Sequence, residues 1–146
     1  MITAKELMVG DFVYDTDTST LLCISALHDL IATGTDAIKR EYDVDYEDLI
    51  GLPLCDDILN IDTRWEDAFD PKCHNEPGML IHENLGLFKF KDKYWLGLYY
   101  YDGVERLLEL KYVHELQHVL AVFGSTMAAD ILNIDYVYTT TPIAFG

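Results

Sequence analysis

Asp102-Gly103 stands between two runs of strand-forming residues, 94–101 and 104–110. Both central residues of a type I′ turn need positive φ, and an Asp-Gly pair adopts it at little cost. The chain is therefore expected to reverse there, in a β-hairpin. Upstream, 79–83 and 85–90 alternate or run apolar, so the second half reads as an antiparallel meander. Residues 112–123 then carry apolar side chains at helical spacing and meet Gly124, which predicts one amphipathic helix packed on that meander. Near the start, Gly10-Asp11 leads into a strand, 15–20 is all Asp, Thr and Ser, and 21–27 is apolar. This predicts an N-terminal β-hairpin of the kind found in small SH3-like barrels, where glycine lets the backbone bend sharply. Between the halves, 36–42 is expected to be a strand. Pro53 with Asp56 and Asp57 predicts a short helix over 56–60. Residues 62–78 are expected to be a long loop and 131–146 a β-prone tail. The fold class expected is α+β in one domain, 1–146.

Charge narrows the functional classes. Twenty-six acidic residues face ten basic ones, a formal net charge of −16, and the acids are dense between Asp36 and Asp70. Such a surface repels nucleic acid and anionic membranes and attracts basic partners. A basic protein is thus the expected partner, with Asp43, Asp45, Glu47 and Asp48 as candidate contacts. Tyr99 and Tyr101, on a tyrosine-rich strand, are candidate anchors, and homo-oligomers are compatible with the same surface. No apolar run approaches the ~18 residues of a membrane span. The start, Met1 to Glu6, lacks the basic and apolar stretches of a signal peptide. The cytoplasm is the expected location. Cys23 and Cys55 read as small core groups, and Cys73 lies beside His74 in a loop bounded by Pro71 and Gly78.

One motif carries chemistry. His114-Glu115-Leu116-Gln117-His118 fits H-E-x-x-H, in which two imidazoles one helical turn apart hold zinc and the glutamate polarises the attacking water. Read so, His114 and His118 are metal ligands and Glu115 is catalytic. Helix geometry argues the other way. Tyr112, Val113, Leu116, Val119, Leu120 and Phe123 form one apolar stripe, with His114 and His118 nearly opposite its centre. The stripe is expected to face inward and the imidazoles to face water. A third ligand has no motif of its own, although His82 is available.

Three blocks carry a resemblance: Ala4-Lys5-Glu6-Leu7 to Gly10-Asp11-Phe12-Val13-Tyr14-Asp15; Ile50-Gly51-Leu52-Pro53-Leu54 to Asp56-Asp57-Ile58-Leu59; and Lys111 to His118. In that order they resemble a family of small uncharacterised proteins encoded by phages and prophages of gut Bacteroidetes. In that family the third block often reads V-H-Q-L-Q-N, which implies that the motif here is a local variant of a structural helix. The resemblance brings no reaction, ligand or catalytic residue with it. The leading expectation is a phage-type accessory protein, without cofactor, located in the host cytoplasm or a virion, that binds a host or phage protein or a small ligand and modulates a host factor. The alternatives are a zinc-dependent hydrolase using His114, Glu115 and His118, and a structural virion component.

Overall fold

A computed structural model describes residues 2, 4–59, 66–67, 77–100, 103–123 and 132–139. The fold class is α+β. The chain divides into two compact units, one made of Met1–Pro53, Tyr112–His118 and Ile134–Gly146, the other of Leu54–Lys111 and Val119–Asn133.

The first unit holds a five-stranded antiparallel sheet in the order β4-β3-β2-β1-β5, with β1 at Phe12–Asp15, β2 at Thr20–Leu27, β3 at Ile31–Thr35, β4 at Glu41–Asp45 and β5 at Leu49–Gly51. Four strands follow one another as a meander. The fifth returns beside β1 through a single 3-10 turn, Tyr46–Asp48, and sets Ile50 opposite Tyr14. Gly10, at φ 98°, makes the bend that leads into β1. Asp15 folds the next turn by accepting the Asp17 and Thr18 amides and the Thr18 hydroxyl, which is Asx-turn chemistry. The core gathers Leu7, Val13, Leu22, Ile24, Ala32, Val44 and Leu49.

In the second unit a five-stranded antiparallel sheet runs β10-β9-β8-β7-β6, with β6 at Glu66–Asp67, β7 at Pro77–His82, β8 at Leu85–Phe90, β9 at Lys93–Tyr100 and β10 at Gly103–Leu110. The expected meander is present, and Gly103 pairs with Tyr100. The conformation of Asp102 itself lies outside the described residues. The short helix α1, Asp56–Leu59, is tied to this sheet by Asp56, which accepts both the Lys89 ammonium at 2.9 Å and the Tyr94 hydroxyl. Burial raises the Asp56 carboxyl, but those two donors outweigh it and hold the group below its ordinary range.

Three expectations are corrected. Residues 36–40 are a turn, not a strand. The Asp36 carboxylate accepts the Ile38 and Arg40 amides, the Arg40 guanidinium and the Tyr42 hydroxyl, and Lys39 takes φ 70°. The strands lie on either side of it, as β3 and β4. The expected loop 62–78 contains β6 and the start of β7, and its remaining residues lie outside those described. The tail is not extended over its described part. Ile134–Thr139 is a helix, α3, that buries Val137 and sets Tyr138 edge-to-face on Phe12 at 5.5 Å. Strand propensity is largely a fit to a pleated surface, and here packing decides instead.

Candidate functional site

The helix α2, Val113–Phe123, begins where Leu52 accepts the Val113 amide and Pro53 bridges Tyr112. Its stripe is inward as expected at Val113, Leu116 and Leu120, all fully buried. His114 does not face water, and His118 does so only in part. His114 is 6% exposed, and the His118 side chain is 30% exposed with Nε2 2.6 Å from the Asp11 carboxylate. The stripe marked one covered side of this helix. The start of β1 and the end of β5 cover another, and that is the side bearing the histidines.

Each side chain of the motif has an assignable contact. Glu115 is the third residue of the helix, and its carboxylate accepts the Tyr112 amide at 2.9 Å. That is the returning half of a capping box, which satisfies a donor the helix leaves orphaned. Gln117 meets the backbone of the first unit twice, its Oε1 accepting the Phe12 amide and its Nε2 donating to the Gly10 carbonyl, each at 2.9 Å. His118 grips Asp11, the residue between them. Asp11 is 2% exposed and also accepts the Met8 amide at 2.8 Å. Burial pushes its carboxyl above the ordinary range, against the pull of His118 and the Met8 amide.

His114 stacks on Tyr112 with ring centroids 5.6 Å apart and planes within 11°, and meets His118 edge-on at 5.8 Å. The two rings fit because residue 51 has no side chain. A Cβ on Gly51 would stand 2.8 Å from the Tyr112 ring and 2.9 Å from His114 Cε1. His114 Nδ1 is buried and makes no hydrogen bond. Burial lowers the His114 pKa more than Asp11 and Glu115 raise it, so the ring favours its neutral form.

These groups border a cleft of about 700 Å³ within the first unit, a size that suits a small ligand. Ile2, Ile50 and Pro53 give it apolar wall, Glu6 and Glu115 carboxylates, and Tyr112, His114 and His118 rings. Sequence reasoning passed over Asp11, Glu6, Gly51 and Gln117 as site residues. Asp11 stands 107 positions from His118, and no spacing rule links them.

The other candidates fall elsewhere. Asp43, Asp45 and Glu47 are exposed and Asp48 is half-buried in the first unit. Asp43 accepts the Thr33 hydroxyl. Partial burial, then the carboxylates of Asp17, Asp45, Glu47 and Asp15, push Asp48 up. Tyr99, expected as a surface anchor, is 8% exposed and donates to the Leu87 carbonyl, because its side of β9 faces the core with Phe88. Tyr101, Cys73 and His74 lie outside the described residues. His82 is exposed in the second unit and stacks on Phe123. Cys23 and Cys55 are half-buried free thiols. Among the described residues no group of three or more His, Cys, Asp or Glu side chains is placed to hold a metal ion, and no helix is long and apolar enough to cross a membrane. Comparison with family models, curated proteins and solved structures finds no match.

Proposed function

We propose that this chain is a phage-type accessory protein that works by binding, and that it seats a small ligand or a partner's side chain in the cleft of the first unit. One observation carries the reading. A cleft of ligand size in the first unit is bordered by apolar wall from Ile2, Ile50 and Pro53 and by the rings of Tyr112, His114 and His118. The same geometry favours binding over hydrolysis. The carboxylate that a zinc peptidase aims at its attacking water is engaged here with the first turn of its own helix, through Glu115. The nitrogen of His118 that reaches farthest from that helix is bonded to Asp11.

The hydrolase reading keeps one supporting feature, the Asp11–His118 pair, since proteins orient metal-ligating imidazoles with buried carboxylates. A heteronuclear NMR screen of a small-fragment library against untagged protein tests both. Binding predicts shifts at Ile50, Gly51, Tyr112 and His114, lost in His114→Ala. Stoichiometric zinc together with amide-bond cleavage that Glu115→Gln abolishes would transfer the site to the hydrolase reading. A screen in which no fragment moves those residues would remove the binding one.

A further inference from the structure

The second unit presents a strand edge. Among the described residues β10 pairs with β9 alone, and the outer edge of such a strand is a template for pairing with another chain. The pairing with β9 slips by one residue between Arg106, opposite Gly97, and Leu108, opposite Leu96. Leu107 is the extra residue of this bulge, and it changes which side chains share a face. Arg106 and Glu109 stand opposite Gly97 and Trp95, two residues apart on β9, and so project from the same face of the sheet. The contacts agree. The Arg106 guanidinium lies over the Trp95 ring at 5.2 Å, and Glu109 lies 3.7 Å from Lys93, which shares that face with Trp95. Between them, Leu107 and Leu108 are 49% and 52% exposed.

About a point midway between Leu107 and Leu108, this strand is complementary to itself. A second copy running antiparallel about a twofold axis there sets Arg106 opposite Glu109 of the other copy, twice by symmetry. It also sets Leu107 opposite Leu108 and Glu105 opposite Leu110, and no like charges meet. The bulge permits this register. A twofold axis normal to a sheet keeps every side chain on its own face, and in an unbroken strand residues 106 and 109 would project from opposite faces. Charges and bulges also serve to keep edges apart, but opposite charges directly across a strand pair attract. A ring-stacked guanidinium keeps its N–H edge free for a carboxylate. We infer that β10 is the interface of a homodimer, in which two copies join edge to edge through paired Arg106 and Glu109 on either side of the exposed leucines. A second copy is the occupant that this edge matches in face, in sign of charge and in apolar centre, and the contact is isologous. None of these residues borders the cleft, so the inference stands apart from the binding reading. One strand pair is small beside the ~1,600 Å² of a standard interface, and the dimer is accordingly weak.

The test is sedimentation equilibrium of the full chain. The net charge of −16 opposes association at long range, so the solution holds about 0.15 M salt, which screens that repulsion beyond ~8 Å. From about 10 µM to 1 mM the chain is expected to pass from monomer toward dimer, and amide exchange along 105–110 to slow at the upper concentration. Arg106→Glu and Glu109→Arg each set like charges face to face at both symmetric positions, and each is expected to weaken the dimer about 5- to 50-fold. Mixed one to one, the two variants regain both pairs, because one copy brings two glutamates and the other two arginines. The mixture is expected to associate at least as tightly as the parent. Leu107→Asp, on a half-exposed side chain, is a second disruption that leaves Arg106 on its rings. Thermal melts at low concentration establish that each variant is folded before it is weighed. A chain that stays monomeric throughout, a dimer that all three variants leave unchanged, folded charge variants that do not associate when mixed, or exchange protection that falls outside β10 would each overturn the interface.

Discussion

Gln117→Ala removes two links at once. The side chain amide holds the Phe12 amide and the Gly10 carbonyl, both at 2.9 Å, and these flank Asp11, which His118 holds from the same turn of helix. A side chain–backbone hydrogen bond contributes about 0.5–1.5 kcal/mol net, so the pair contributes about 1–3 kcal/mol. Alanine returns a few tenths of that through its better helix propensity. For a chain of this size each kcal/mol moves the melting midpoint by about 2–4 °C, so a fall of roughly 3–10 °C is expected. A thermal melt followed by circular dichroism measures it. Amide hydrogen exchange localises it, because the Phe12 N–H loses its acceptor and should exchange faster while the second unit's strands keep their protection. Gln117→Glu sharpens the test. It retains an acceptor for Phe12 but turns a carboxylate oxygen toward the Gly10 carbonyl, beside buried Asp11, and should cost at least as much as alanine. Melting of both variants within about 1 °C of the parent, with Phe12 exchange unchanged, would refute the claim that this contact fastens helix to strand.

Two further outcomes follow from the same site. Glu115→Ala is expected to lose about 0.5–1 kcal/mol in chemical denaturation through the missing contact to the Tyr112 amide, while Glu115→Gln retains most of it; equal losses in both would show that charge, not capping, is the contribution. Because burial sets the folded His114 pKa below its ordinary 6.5, its stabilising contribution is complete above that value and is lost as pH falls through the folded value, at up to about 1.4 kcal/mol per pH unit. Asp11, raised above 3.8, acts oppositely, with a contribution present at low pH and lost as pH rises through its folded value. Denaturant midpoints from pH 7 to 5.5 should therefore decline in the parent and flatten in His114→Phe, and a parent midpoint that stays level would sink this assignment.

Much of the fold was legible where local chemistry fixes the chain. Alternating apolar runs located β7 to β10, and Asp15 with its Thr neighbours located the first hairpin turn. Legibility failed where a turn is built by a residue of ordinary turn propensity and unusual reach. Asp36 gathers four donors across residues 38–42, and nothing in the local composition separates that from a strand beginning at an aspartate. At Lys91-Asp92 the reversal itself was legible but its conformation was not: φ values of 52° and 62° make both central residues left-handed with no glycine present. The register of β8 and β9, Phe90 opposite Lys93, imposes that geometry. In the tail, Val137 and Tyr138 read as strand residues, yet burial of one and the ring contact of the other with Phe12 accompany a helix.

The site was legible only as a spacing. H-E-x-x-H guarantees that two imidazoles rise one turn apart on one side of a helix, and that much holds. What the imidazoles meet is decided by whichever strand lies opposite, and residues near position 11 are about as far from position 118 in sequence as this chain allows. The apolar stripe misled for a related reason. A stripe identifies the most hydrophobic side of a helix, whereas a side can also be covered by hydrogen bonds, as Gln117 and His118 cover theirs through Gly10, Asp11 and Phe12. A polar side that docks by pairing looks, in sequence, the same as a polar side that faces water. The difference lies in whether partners wait across the gap, and here a buried carboxylate, a bent glycine and a strand amide were already positioned by the entry into β1.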